Sequence, residues 1–386
     1  MNSLINCYSR PGTLYKTSQN RVWISALTLF TILFLGCSAP VEPPSHLINT
    51  AVPAQSDWVD CGTILSAGME GEWDLYLWGG FANSVVKKDG IYYLYYQGAN
   101  GYDEDEETVT WRSIGVATST DGVHFTKYEH NPVLTWFPGN QLEEGAVSAG
   151  AFLDENGDIA IYYGANTWAG GSEVNADGRF AIAPDGFNFT DLGKALDHTD
   201  DAIWGSGDEL FPIIGFYDNG RWFTYYIPNG TLQRRKLGVA WGLSWDTLEN
   251  SSAARSGGST IPVWGTGGYA RLDNDIYALF LNNLYGPTGP TLEVRTVSLS
   301  DPDSFSAPLQ SYQFDNASQA TVTLDHDLNT WFMYYRSSDH DRYGVRVASA
   351  NGQAVQCPNS AQLYLPLIGR QGGSNNHTSY KHDSLR

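Results

Sequence analysis

The chain has 386 residues, with 22 Lys plus Arg against 42 Asp plus Glu, a net charge of −20. So acidic a balance excludes binding nucleic acid or anionic lipid through bulk charge, because both need a basic footprint. Hydrophobics at 42% and charged residues at 17% exclude wholesale disorder, and the length suffices for one large core or two ordinary ones.

Residues 1–21 carry Arg10, Lys16 and Arg21 and no acid, and the apolar run Val22–Leu35 follows. At 14 residues that run is shorter than the ~20 of an ordinary membrane span, and it reads as the core of a secretory signal. It ends in Phe34-Leu35-Gly36-Cys37, which resembles a bacterial lipoprotein signal whose Cys is lipidated and becomes the new N-terminus. Leu35 is bulkier than the usual residue there, so plain secretion or an uncleaved anchor is the alternative. The expected organisation is a signal at 1–36, a Pro/Ser/Ala-rich tether at 37–57, a folded domain at 58–360 and a partly disordered tail at 361–386. Cys7 falls in the leader and Cys37 takes the lipid, which leaves Cys61 and Cys357. In an oxidising compartment these pair as a disulfide; two buried thiols are the alternative.

Between Trp73 and Ala350 one unit recurs five times: an apolar strand, an Asp/Asn/Gly turn, an aromatic strand, a loop and a strand of Gly-Val-Ala type. The first copy is Asn83–Gly98 with Ile114–Tyr128, and the second Ala149–Ala165 with Phe180–Leu192. The third is Leu210–Pro228 with Leu237–Leu248, and the fourth, weaker, Gly268–Asn283 with Leu292–Phe305. The fifth is Ala320–Ser338 with Tyr343–Ala350. Tyr95, Tyr162, Tyr225, Leu279 and Tyr334 read as equivalent positions on the aromatic strands. Runs of β-branched and aromatic residues bounded by turn residues are strands, and none of these segments has helical periodicity. One such sheet cannot bury both faces, so five stacked around an axis predict an all-β, five-bladed β-propeller.

Inner strands of a propeller converge on the axis, so residues just ahead of them line one mouth. Trp73-Asp74 precedes the first inner strand, Glu143-Glu144-Gly145 the second and Asp208-Glu209 the third. The fourth and fifth have Gly265–Gly268 and Asn316–Gln319 at that register, with no carboxylate. Trp73, Trp204 and Trp264 are candidate sugar platforms, and Arg112 a candidate clamp for a hydroxyl or carboxylate; inter-blade wedges and salt bridges are the plainer readings.

The segments Asp89–Tyr96, Ile114–Lys127, Asn131–Leu134 and Asp208–Pro212 resemble the five-bladed propeller glycoside hydrolases, the superfamily of families 43, 32, 68 and 62. The resemblance spans roughly residues 60–350 and implies three funnel carboxylates: a base or nucleophile, an orienting residue and a general acid. By position these roles fall on Asp74, Glu144 and Glu209, with the adjacent Asp208 competing for the last. Where relatives begin blade 1 with an Asp-Pro step, this chain has Ala82-Asn83-Ser84. That departure keeps a non-catalytic glycan-binding propeller open as a rival.

Other clusters have plainer readings. The acidic loop Asp103–Glu107 offers oxygen ligands suited to Ca²⁺ but reads better as a solvated charge run. His326 could hold a metal on the axis but belongs to a turn. Arg234-Arg235-Lys236 could bind phosphate, as a glycoside phosphorylase would require. Zinc spacings, phosphate-binding glycine loops and the Gly-x-Ser-x-Gly elbow are missing from the sequence, so neither cofactor nor metal is expected. The resulting expectation is a monomeric glycoside hydrolase outside the cytoplasm, lipid-anchored or secreted, acting on a poly- or oligosaccharide by paired-carboxylate chemistry.

Overall fold

The computed structural model describes residues 51–358 apart from 78–82, 104–107, 137–144, 170–171, 208, 229–235, 249, 264, 266, 284–290, 314–316, 338 and 340. The leader, Cys37, most of the tether and the tail therefore lie outside the described residues. Among the described residues no helix is long and apolar enough to cross a membrane.

The described chain forms five sheets, antiparallel but for one parallel pairing of Arg255 with Ser304 in the fourth, plus a small ribbon of Gly101–Asp103 with Thr108–Thr110. Blade 1 consists of Asn83–Lys88, Ile91–Ala99, Ser113–Ser119 and Thr126–Lys127, with Tyr76–Leu77 continuing the inner position along Ile91–Ala99. Blade 2 is Gly145–Leu153, Ile159–Ala169, Ser172–Ala183 and Thr190–Leu196; blade 3 is Leu210–Asp218, Arg221–Pro228, Gly238–Gly242 and Asn250–Ala253. Blade 4 is built on Gly267–Arg271, Ile276–Asn283 and Thr291–Ser298, blade 5 on Ala317–Asp325, Thr330–Ser337 and Arg342–Ser349. The innermost strands pack in a closed ring, 1 on 2, 2 on 3, 3 on 4, 4 on 5 and 5 on 1. The five-bladed β-propeller read from the repeats is the fold.

Local chemistry sets the strands. Asp89-Gly90 and Asn219-Gly220 adopt left-handed φ of 51° and 79°, and 50° and 75°, the two-residue hairpin geometry that matches strand twist. The aromatic strands then alternate faces. Tyr92, Leu94 and Tyr96 pack with Phe332 and Tyr334 of blade 5, while Tyr93 and Tyr95 pack with Ile159, Ile161 and Tyr163 of blade 2. In blade 4 this alternation corrects the sequence alignment. Phe280 packs on Trp331 of blade 5, whereas Leu279 lies in the cluster shared with blade 3. Phe280 is therefore the true counterpart of Tyr95, because a one-residue slip in a strand exchanges its faces.

Two features lay beyond the repeat pattern. Blade 5 takes its outermost strand, Val59–Ser66, from the start of the domain, pairing it with Arg342–Ser349. The Cys61–Cys357 disulfide, with sequence separation 296, ties this closure as expected. On the axial side, side chains satisfy inner-strand backbone that would otherwise be an open edge. The Ser84 hydroxyl accepts from Ala151 N–H (2.9 Å) and donates to its carbonyl (3.2 Å). Thr321 donates to Gly267 O (2.9 Å), and Asn282 bonds both Ala320 N–H (2.9 Å) and Ala320 O (2.8 Å).

Candidate active site

The inner strands all run the same way, so Asn83, Gly145, Leu210, Gly267 and Ala317 begin at one mouth. A cavity of about 390 Å³ runs down the axis between them, and Lys87, Leu153, Asp218, Arg271 and His326 lie on its lining toward the far end. His326 thus belongs to the mouth opposite the candidate carboxylates.

Glu209 heads the inner strand of blade 3 and is 6% exposed, with Oε1 shielded from solvent. The segment that delivers it is held at several points. Tyr226 donates to Trp204 O (2.9 Å), and Trp204 itself packs half-buried on Leu196, Ile203, Leu210, Tyr226 and Ala240. His198 Nδ1 lies 2.7 Å from Asp177, and Lys194 bridges Asp177 (2.8 Å) and Asp197 (3.3 Å). Hydrogen bonds from the Thr199 side chain and backbone, then Lys194, hold Asp197 at about 2. Asp177, Asp197 and His198 are close enough together to suit a cation, but Lys194 already supplies one there.

Asp74 stands elsewhere. It is 2% exposed and accepts from Lys127 (2.6 Å), on the outermost strand of blade 1, and from the Tyr96 hydroxyl (3.1 Å). Trp73 lies 5.6 Å from the Tyr96 ring and covers Gly98 and Gly115, where a Cβ would come within 2.5 and 2.6 Å of its indole. Both residues border a side cavity of about 240 Å³ with Lys127, Tyr128 and Asn131. The structure thus engages Asp74 with Lys127 and Tyr96, and Trp73 acts as an edge wedge. The sequence places both just before the first inner strand, and in the structure Lys127 and Tyr96 take up the Asp74 carboxylate. Glu144, Asp208 and Trp264 lie outside the described residues, as do Arg234 and Arg235.

Arg112 is half-buried at the mouth end of blade 1, where its backbone forms a parallel bridge to Gly145 at the start of blade 2. Arg179 is a scaffold residue: it pairs with Asp191 and lies 4.1 Å from the centre of the Trp136 ring.

Three polar residues at this mouth were not expected from sequence, and a fourth, Gln319, was placed there by register without a role. Gln97, Asn282 and Arg336 each follow an inter-blade aromatic (Tyr95, Phe280 or Tyr334) by two positions, on the face turned to the next blade. They are 1%, 3% and 5% exposed. Burial pushes the Arg336 guanidinium down to about 10, so it remains a cation at neutral pH. Gln319 sits on the inner strand of blade 5 and is 6% exposed. The signal that could have found the first three is the break from apolar to polar at the end of each aromatic run: Tyr-Tyr-Gln, Phe-Leu-Asn and Tyr-Tyr-Arg. Together the described residues give a mouth with one buried carboxylate, two guanidinium groups and several carboxamides. That set can donate a proton to a leaving oxygen and bind hydroxyls or an anion.

The chain matches the family described as "Glycosyl hydrolases family 32 N-terminal domain" over residues 78–226. It is 24% identical over 154 residues to the sucrose-6-phosphate hydrolase of Escherichia coli, a match covering 37% of this chain and 31% of that relative. The chain thus spans about a third of the curated relative's length. Among solved structures, one described under the GH130 family of mannoside phosphorylases and glycoside hydrolases targeting β-1,2 mannosidic linkages in Candida mannan is 13% identical. That likeness covers 80% of this chain and 99% of the other, with a TM-score of 0.53. The β-1,2-mannobiose phosphorylase of Listeria innocua is 13% identical, with 75% and 94% covered and a TM-score of 0.51. At such identities the structural likeness speaks for the propeller fold alone.

Proposed function

We propose that this propeller, matching a glycoside hydrolase family across blades 1 to 3, is a glycosidase-type enzyme that hydrolyses a poly- or oligosaccharide, with Glu209 as proton donor. The observation that carries this is the buried carboxylate of Glu209 at the head of an inner strand, on a segment pinned by Tyr226 and Asp177. Glycosidic cleavage needs an acid on the leaving oxygen and a second carboxylate on the opposite side of the sugar. Glu144, one residue ahead of the Gly145–Arg112 bridge in sequence, is the proposed second carboxylate. Asp74 has no part in this mechanism. Arg112 and Arg336 would bind substrate hydroxyls or a developing anion. We further propose export through the 1–36 leader, with lipidation at Cys37.

Phosphorolysis is the second reading. It is favoured by the two guanidinium groups at the mouth, Arg112 and Arg336. Phosphate in place of water would need such cations but no carboxylate to activate the nucleophile.

The test is a screen of the full chain against neutral polysaccharides and disaccharides, sucrose and β-1,2-mannobiose included, with and without inorganic phosphate. Glu209→Gln should reduce turnover by about 10²–10⁴-fold. Undiminished turnover in that variant would remove the assignment, and strict dependence on phosphate would select the second reading.

A further inference from the structure

Gln319 combines two properties that a scaffold residue rarely has together. Its Oε1 is shielded from solvent and accepts no hydrogen bond, although the residue is only 6% exposed. Its backbone is left-handed, with φ of 51°. Glutamine is not among the residues that enter this region easily. Asp89, Asn219 and Asn329 share the conformation, but each belongs to a hairpin turn. Outside such turns, the described non-glycine residues with left-handed backbone are Trp111, next to Arg112, and Gln319. Both lie at the same mouth as Glu209.

The strand irregularity does not by itself require this. Blade 5 breaks register between Ser318 and Ala320, and blade 3 does the same between Pro212 and Ile214. At Ile213 the break is made without left-handed backbone. Nor does the Gln319 amide serve the inner-strand edge, since Asn282 already satisfies both backbone groups of Ala320. Room is kept for the side chain by Gly265, where a Cβ would crowd Gln319 Cγ at 3.2 Å. A buried acceptor without a donor is costly, left-handed backbone outside a hairpin turn is strained, and Gln319 joins the two at the mouth.

We infer that Gln319 is a specificity residue whose carboxamide hydrogen-bonds a hydroxyl of the glycosyl group at the funnel mouth. A carboxamide offers an acceptor and two donors side by side, which suits a hydroxylated ring, and rotation about its terminal bond lets either end face the ligand. The neutral group selects a sugar hydroxyl over a charged substituent. This inference rests on the glycosidase reading of the same mouth.

The experiment compares the full chain with its Gln319→Met and Gln319→Asn variants. Methionine keeps the length without the amide; asparagine tolerates left-handed backbone but withdraws the amide by one methylene. Retention is measured on an array of neutral oligosaccharides that includes sucrose and β-1,2-mannobiose, and each protein's thermal midpoint is recorded. The expected result is at least tenfold weaker retention in both variants, with the midpoint unchanged or raised. Retention within twofold of wild type, or a lower midpoint in both variants, would overturn the inference. If the unmutated chain retains no sugar, the glycosidase reading fails on its own. The midpoints then decide whether the amide is a structural group, which a fall would establish.

Discussion

The Tyr334 hydroxyl of blade 5 donates to Gly122 O of blade 1 at 3.0 Å. Tyr95 of blade 1 makes the same bond to Gly186 O of blade 2 at 2.8 Å. In both turns the glycine has left-handed φ, 76° and 79°, and lies against a second ring, Phe332 or Tyr93. The two latches use the Asp-Gly turn of one blade as the acceptor for its neighbour, so a motif that looks local in sequence is an inter-blade fastening.

Removing a latch should cost stability without touching the mouth. Tyr95→Phe leaves the Gly186 carbonyl without its donor in a buried place and should cost about 1–3 kcal/mol. Gly122→Ala should be at least as damaging, since its Cβ would lie 2.9 Å from the Phe332 ring on left-handed backbone. Urea unfolding of each variant measures this; a midpoint within error of wild type for both would show that the latches do not hold the blades.

Asp74 should behave as a structural residue. Asp74→Asn weakens its bond to Lys127, whose side chain is 32% exposed, so the loss should be about 1–3 kcal/mol rather than the full cost of a buried pair. Turnover per folded molecule should stay within a few-fold of wild type. Loss of turnover as deep as that of Glu209→Gln, with stability preserved, would restore Asp74 to the chemistry.

The disulfide should matter more than its single bond suggests. Cys61 lies on the strand that completes blade 5, so the Cys61–Cys357 bond fastens the ring closure. Reduction, or Cys61→Ser with Cys357→Ser, should lower stability by about 2–5 kcal/mol. Chemical denaturation with and without dithiothreitol would measure it, and coincident curves would refute it.

Stability should fall at both ends of the pH range through one cluster at the far mouth. Asp325 bonds Lys87 (2.7 Å), which also reaches Asp327 (2.9 Å), and Tyr92 donates to Asp325 as well. Burial alone would raise Asp325, but bonds from Lys87, Tyr92 and Leu328 N–H hold it below the ordinary 3.8. Its contribution is complete above 3.8 and is lost as pH falls below that value. Burial likewise pulls Lys87 down, yet bonds to Asp325 and Asp327 leave it above 10.5, so its contribution is complete below 10.5 and lost at more alkaline pH. Thermal midpoints across pH, compared with those of Lys87→Met, should show the variant losing less at each extreme. Parallel curves would rule the cluster out.

The sequence by itself determined the repeat and therefore the architecture. Hairpin turns such as Asp89-Gly90 and alternating aromatic runs are local signals, and five copies of a sheet that cannot bury both faces leave few ways to stack. It also supplied the cysteine pair and the buried glutamate ahead of blade 3. Only the tertiary structure decided which strand closes the ring, which residue of blade 4 faces blade 5, and where Asp74 spends its charge. Each of these depends on what packs opposite a residue, and chain neighbours carry no record of that. Asp74 stands two residues ahead of the strand segment beginning at Tyr76, yet its carboxylate goes to Lys127, which reaches it across the sheet. Gln97, Asn282 and Arg336 escape a sequence reading for the same reason: a polar side chain at the end of an apolar run looks like a strand terminus until the neighbouring blade covers it.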